Sequence, residues 1–192
     1  MFPNKESGLS LVELFIAMAI SGIVLSAVVN TFIAQRRSYA QQEQVTQMTQ
    51  ETRAAMEMVT REVRMAGYNP AGTSFAGITY HATQVQIRAD LNGDGDTADA
   101  NETIVYAYNN ATQQLLRETA GSSQPIADHI QAFTFDYLDG AGASTTTTAT
   151  IRQVRITITA RTAKPDPRYS ANEGYRTYRL TSLVTPKNLA LN

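Results

Sequence analysis

The sequence predicts an α+β fold: one long N-terminal helix, membrane-spanning in its first half, whose second half packs on an antiparallel β-sheet head. Three observations predict it. Residues 14–33 contain no charge, residues 35–66 contain no proline or glycine, and beyond Pro70 apolar residues recur at every second position.

The uncharged stretch 14–33 holds 20 residues. At about 1.5 Å per residue it makes a helix of roughly 30 Å, the thickness of a bilayer hydrocarbon core. Its apolar residues lie on every side of the helix, which favours a membrane span over the alternative, the buried helix of a soluble core. A secretory signal would end its apolar region on small residues of the Ala-x-Ala kind, and none stands there. Small and turn-prone residues precede the run instead, in Lys5-Glu6-Ser7-Gly8. A cut at that point removes a short polar leader, residues 1–8, and leaves the apolar helix as the new N-terminus.

Glu13 is the one acid at the start of this helix, and a carboxylate inside a membrane costs about 2.5–3.5 kcal/mol at mid-bilayer and less near the interface. Two readings stand side by side. In an array of packed helices, the free amine that a cut after Gly8 creates on Leu9 of one subunit can meet Glu13 of another and set their axial register. Alternatively, Glu13 lies at headgroup level and favours the positive helix N-terminus, an effect of about 0.3–1 kcal/mol.

Residues 35–66 continue the same helix, so the expected element runs over 9–66. Val45, Met48, Thr52, Ala55, Val59 and either Glu62 or Val63 recur at spacings of three and four and mark one face for burial. Arg53, Glu57, Arg61, Glu62 and Arg64 read as a solvated charged face. Gly67 supplies the stop, with Tyr68-Asn69-Pro70 after it.

The head, 67–192, shows twofold alternation: Val85 and Ile87, then Ile104, Tyr106 and Tyr108, then Phe133, Phe135 and Tyr137, then Val154, Ile156 and Ile158. Tyr178, Leu180 and Leu183 mark a last strand. Asn109-Asn110 and Asp139-Gly140 mark turns, and 143–150 and 164–172 read as loops.

Between the first two strands, Asp90-Leu91-Asn92-Gly93-Asp94-Gly95-Asp96 places oxygen-bearing side chains at alternate positions, as a hard cation requires. The run resembles the first half of an EF-hand calcium loop, although Asn101 occupies its twelfth position and Glu102 stands one later. Calcium held by at least three of Asp90, Asn92, Asp94 and Asp96, with Asp99 or Glu102 able to stand in for the acid the twelfth position lacks, is the expectation. A metal-free Asp/Gly turn is the alternative. His81 and His129 stand without a metal-site context and read as ordinary surface or strand residues.

Gly8-Leu9-Ser10-Leu11-Val12-Glu13-Leu14, running into the uncharged stretch, resembles the prepilin signal of type IV pilins and type II secretion pseudopilins. The resemblance implies cleavage between Gly8 and Leu9 by a membrane prepilin peptidase, N-methylation of Leu9, and Glu13 as the register-setting acid. The stretch from Arg61 to Pro70 and the close from Leu180 to Leu189 resemble the PilW-like minor pilins. A type IV pilin-like fold and a structural role are implied by this likeness. Other pilin and minor pilin subunits are the expected partners, with an inner-membrane location before assembly and the pilus or cell surface after it. A J-type pseudopilin of type II secretion is the nearest rival, and a membrane-anchored enzyme or ligand-binding protein the more distant one.

Composition narrows the field further. Sixteen basic against 17 acidic residues leave a net charge of -1, so no overall field points to nucleic acid. With no cysteine, disulfides, thiolate metal sites and a cysteine nucleophile are excluded. No phosphate loop, dinucleotide fingerprint or Gly-x-Ser-x-Gly run is present, and the chain reads as a non-enzyme.

Overall fold

Helix α1 runs Leu11–Met65, 55 residues, in a computed structural model that describes residues 10–190. Cleavage at Gly8 and Leu9 therefore lies outside the described residues. The chain divides at Glu43 and Gln44 into two compact units. In the first, every residue from Leu11 to Ile33 is exposed. Ser26 and Thr31 donate their hydroxyls back to the carbonyls of Ile23 and Ala27 at 2.8 and 2.9 Å, so these polar groups are satisfied within the helix itself.

In the second unit the same helix buries Met48, Thr52, Ala55, Met56, Val59, Thr60 and Val63. This is the three-and-four stripe expected from the sequence, widened by Met56 and Thr60. Thr52 tolerates the core because its hydroxyl donates to the Met48 carbonyl at 2.6 Å. Val63 takes the buried place and Glu62 the flank. Gly67 ends the helix at φ +77°, a conformation that glycine adopts without steric cost.

Strands β1 (Ile78–Thr79), β2 (Gln84–Arg88), β3 (Thr103–Asn109), β4 (Gln114–Thr119) and β5 (Ser122–Ala127) form one antiparallel sheet in that order. Strands β6 (Ile130–Leu138), β7 (Gln153–Arg161) and β8 (Thr177–Val184) form a second, with β7 central. Two sheets thus stand where the alternation implied one. The first sheet ends at β5, whose Pro125 lacks a backbone N–H and suits an edge strand. A register shift between Leu115 and Leu116 accommodates the extra residue there.

Both sheets contribute to one core with the helix. Val85, Ile87, Ile104, Tyr106 and Leu115 come from the first sheet, Phe133, Tyr137, Val154, Ile156 and Ile158 from the second, and Met48, Ala55, Val59 and Val63 from α1. Leu183 departs from expectation: it is exposed, and Val184 is the buried residue of β8. The cause is parity, since Tyr178, Leu180, Ser182 and Val184 share one face of the strand and Leu183 points to the other.

The helix exit is stitched to β2. The Gly67 N–H donates to the Arg88 carbonyl and the Arg88 N–H to the Gly77 carbonyl, both at 2.8 Å. Gly77 comes so close that a Cβ there would lie 2.3 Å from the Gly67 nitrogen. These contacts place the 89–102 loop beside the end of α1.

Candidate functional site

At the start of α1, Ser10 lies just before the first helical residue, and its N–H donates to Glu13 Oε2 at 2.8 Å. The carboxylate reaches back to an amide that the helix leaves unpaired, the third-residue half of a capping box. Glu13 thus favours the positive helix end within its own chain. One oxygen is engaged this way, and the other has no partner among the described residues.

The second cluster is the loop between β2 and β3. Asp90 is fully buried and both of its oxygens accept from backbone, Oδ1 from Gly93 N–H at 2.6 Å and Oδ2 from Gly95 N–H at 3.1 Å. Glu102, also buried, accepts from the N–H groups of Leu91 and Asn92 through Oε1 and of Asp99 through Oε2, at 2.8, 3.3 and 3.3 Å. These two acids shape the loop from inside. Asn92 lies between two carboxylates: its Nδ2 donates to Asp94 Oδ2 at 3.0 Å and Asp99 Oδ2 at 2.7 Å, while its Oδ1 accepts from Asp94 N–H at 3.0 Å. The Asp96 N–H, and after it the Asn92 amide, hold the Asp94 carboxyl below its usual value.

Among the described residues, carboxylate oxygens of Asp94, Asp96 and Glu102 come within 4.8 Å of one another. The donors are all hard oxygens, the kind a calcium ion takes. Of the six residues expected from the sequence, the fold therefore gathers three, links Asn92 and Asp99 to them by hydrogen bonds, and turns Asp90 toward the backbone. His81 accepts or donates a 3.0 Å hydrogen bond with Gln86, and His129 is an exposed turn residue with φ +54°.

A third cluster overturns part of the sequence reading. Glu57 and Arg61 do form a solvated pair, with side chains more than two-thirds exposed. Glu62 does not belong with them. Its carboxylate accepts from Arg117 Nε at 3.1 Å through both oxygens, pairs with Arg117 Nη2 at 3.0 Å, and accepts a short hydrogen bond from the Tyr106 hydroxyl. The Glu62 and Arg117 side chains are only 14% and 17% exposed. Burial, then the Glu62 hydrogen bond, push the Tyr106 phenol up. Burial pulls Arg117 down, but its hydrogen bond and charge interaction with Glu62 outweigh that and leave it raised. A phenol on a buried strand face needs a polar partner, and that was the available signal.

An apolar helical stretch exposed on all sides thus runs on into one that packs on antiparallel sheets. Residues 41–182 match the family described as PpdB, prepilin peptidase-dependent protein B, and residues 3–29 match the prokaryotic N-terminal methylation motif. The chain belongs to the prepilin peptidase-dependent protein B family. No curated protein sequence matches it. Among solved structures it is similar to a type IV-like pilin from Thermus thermophilus at 12% identity and a TM-score of 0.49, over 73% of this chain and 97% of that one.

Proposed function

We propose that this protein is a structural, non-enzymatic minor pilin of the PilW-like group, which takes part in assembly of a type IV pilus or in priming its tip. The observation that carries the reading is the first half of α1, apolar and exposed on every side from Leu11 to Ile33. That surface needs lipid before assembly and neighbouring helices after it. In this reading prepilin peptidase cuts between Gly8 and Leu9 and Leu9 is methylated. The inner membrane holds the subunit until it enters the filament, with the β-rich unit in the periplasm and then at the cell surface. Glu13, satisfied by Ser10 within the subunit, exchanges that bond for the Leu9 amine of a neighbour. Mass spectrometry of the protein recovered from cells tests the processing: a methylated Leu9 at the N-terminus supports it, and an intact Met1 overturns it. Deleting the gene tests the system, since loss of pili supports a minor pilin and loss of secreted enzymes supports a type II secretion pseudopilin.

The 89–102 loop supports a second element of the proposal, a bound calcium ion held by Asp94, Asp96 and Glu102 with Asn92 and Asp99 at the rim. Asp90 organises the loop in this reading. An ion present at 100 times its dissociation constant would stabilise the fold by about 2.7 kcal/mol. Calcium titration should therefore raise the melting temperature, and Asp94→Ala should abolish the rise. An unchanged melt removes the ion.

A further inference from the structure

The sequence contains a single Asn-Gly pair, Asn92-Gly93, and it lies exposed in the 89–102 loop. In this pair the glycine nitrogen is the least hindered nucleophile that an asparagine side chain can meet, because Gly93 carries no Cβ. The reaction balances without any outside oxidant or cofactor. The Gly93 amide nitrogen bonds to Asn92 Cγ and gives up its proton, the Cγ–Nδ2 bond breaks, and ammonia leaves. Water then opens the five-membered succinimide to aspartate or isoaspartate.

In the folded loop both reacting groups are already engaged. The Gly93 N–H is held by Asp90 Oδ1 at 2.6 Å, and the acceptor is a buried carboxylate that also grips Gly95 N–H. The Asn92 carboxamide is fixed at both ends, by Asp94 N–H on its oxygen and by Asp94 and Asp99 carboxylates on its nitrogen. To react, Gly93 must leave Asp90 and the carboxamide must turn out of three hydrogen bonds. We propose that Asn92 is a latent deamidation site, shielded in the closed loop by Asp90 and its carboxylate neighbours and released when the loop opens.

The product would change the loop's chemistry. A carboxylate at position 92 cannot donate to Asp94 and Asp99, so three acids would face one another where an amide now bridges two. An isoaspartate would also lengthen the backbone between Asp90 and the two N–H groups it holds. The modification therefore marks a chain whose loop has been open, independently of whether a cation ever binds there.

The test monitors the +1 mass shift of the peptide containing Asn92 in the full chain, kept in detergent with a calcium chelator so that the result does not depend on an ion. The folded protein should deamidate more slowly than the same chain in urea by about tenfold or more, as expected when reaction awaits local opening. Asp90→Ala threatens the fold, so the informative variant is Asp99→Ala. It removes one exposed anchor and should speed the folded-state reaction by about threefold, the factor one hydrogen bond contributes, without moving the melting temperature. Equal rates in folded and unfolded chains would overturn the proposal, as would an Asp99→Ala rate identical to that of the unaltered protein.

Discussion

Residues 11–33 and 45–65 belong to one helix, yet the first stretch buries nothing and the second buries a full stripe. The backbone is the same in both; the partners differ. Helix continuity is a local property, set by good helix formers and the absence of breakers. Burial depends on what surrounds the helix. The second stretch finds its cover in two β-sheets of its own chain, whereas the first stays exposed among the described residues.

That contrast can be broken first by truncating side chains on each side of it. Ile156→Ala, at a fully buried position on β7, should destabilise the β-rich unit by about 2–5 kcal/mol. Ile23→Ala, at a position 70% exposed on the helix, should leave the melt of that unit unchanged. Equal losses in a denaturant titration would show that the two stretches are not independently stabilised.

Alkaline pH acts on the covered region through a buried phenol. Burial pushes the Tyr137 phenol up to about 12, so the folded state keeps its proton where the unfolded state, at about 10, loses it. Stability is therefore complete below pH ~10 and falls as pH rises toward about 12, by about 3 kcal/mol in total. Urea melts across this window check it, and Tyr137→Phe should flatten the decline. Tyr106, raised by burial and Glu62, adds to the decline in the same direction.

The charged face of α1 sharpens the comparison at the scale of single residues. Glu62→Ala should cost about 2–3 kcal/mol, less than for a fully buried pair, because it strands the Arg117 guanidinium and the Tyr106 hydroxyl in a mostly covered site. Glu57→Ala removes an ion pair whose partners are both largely exposed, and should change stability by less than about 0.5 kcal/mol. Guanidinium or urea midpoints with unchanged slopes would resolve the two. A Glu62 effect as small as that of Glu57 would return it to the solvated face.

Much of this architecture was readable from residue patterns. The uncharged run, the stretch free of proline and glycine, and the alternation at Val85, Ile104, Phe133 and Val154 each express a local period, and each element formed where its period ran. The candidate loop was readable for the same reason, because Asp, Asn and Gly at alternate positions specify a turn by themselves. Its internal roles were not. Asp90, like Glu102, is buried and accepts backbone N–H groups, those of Gly93 and Gly95, because the loop folds back against the helix exit through Gly67, Tyr68 and Arg88. The β5 strand, Ser122–Ala127, lacks alternation and carries a proline, so only pairing with β4 makes it a strand.

By itself, the sequence determined the long helix, its apolar half, the strand periods and the acidic turn, since each arises from neighbours a few residues apart. Only the tertiary structure decided that the strands split into two sheets, that Glu62 leaves its charged neighbours to meet Arg117 and Tyr106, and that Val184 rather than Leu183 enters the core. These outcomes join residues distant in sequence, 55 positions apart for Glu62 and Arg117. Such pairings depend on which surfaces the folded chain brings together, and no local period records them.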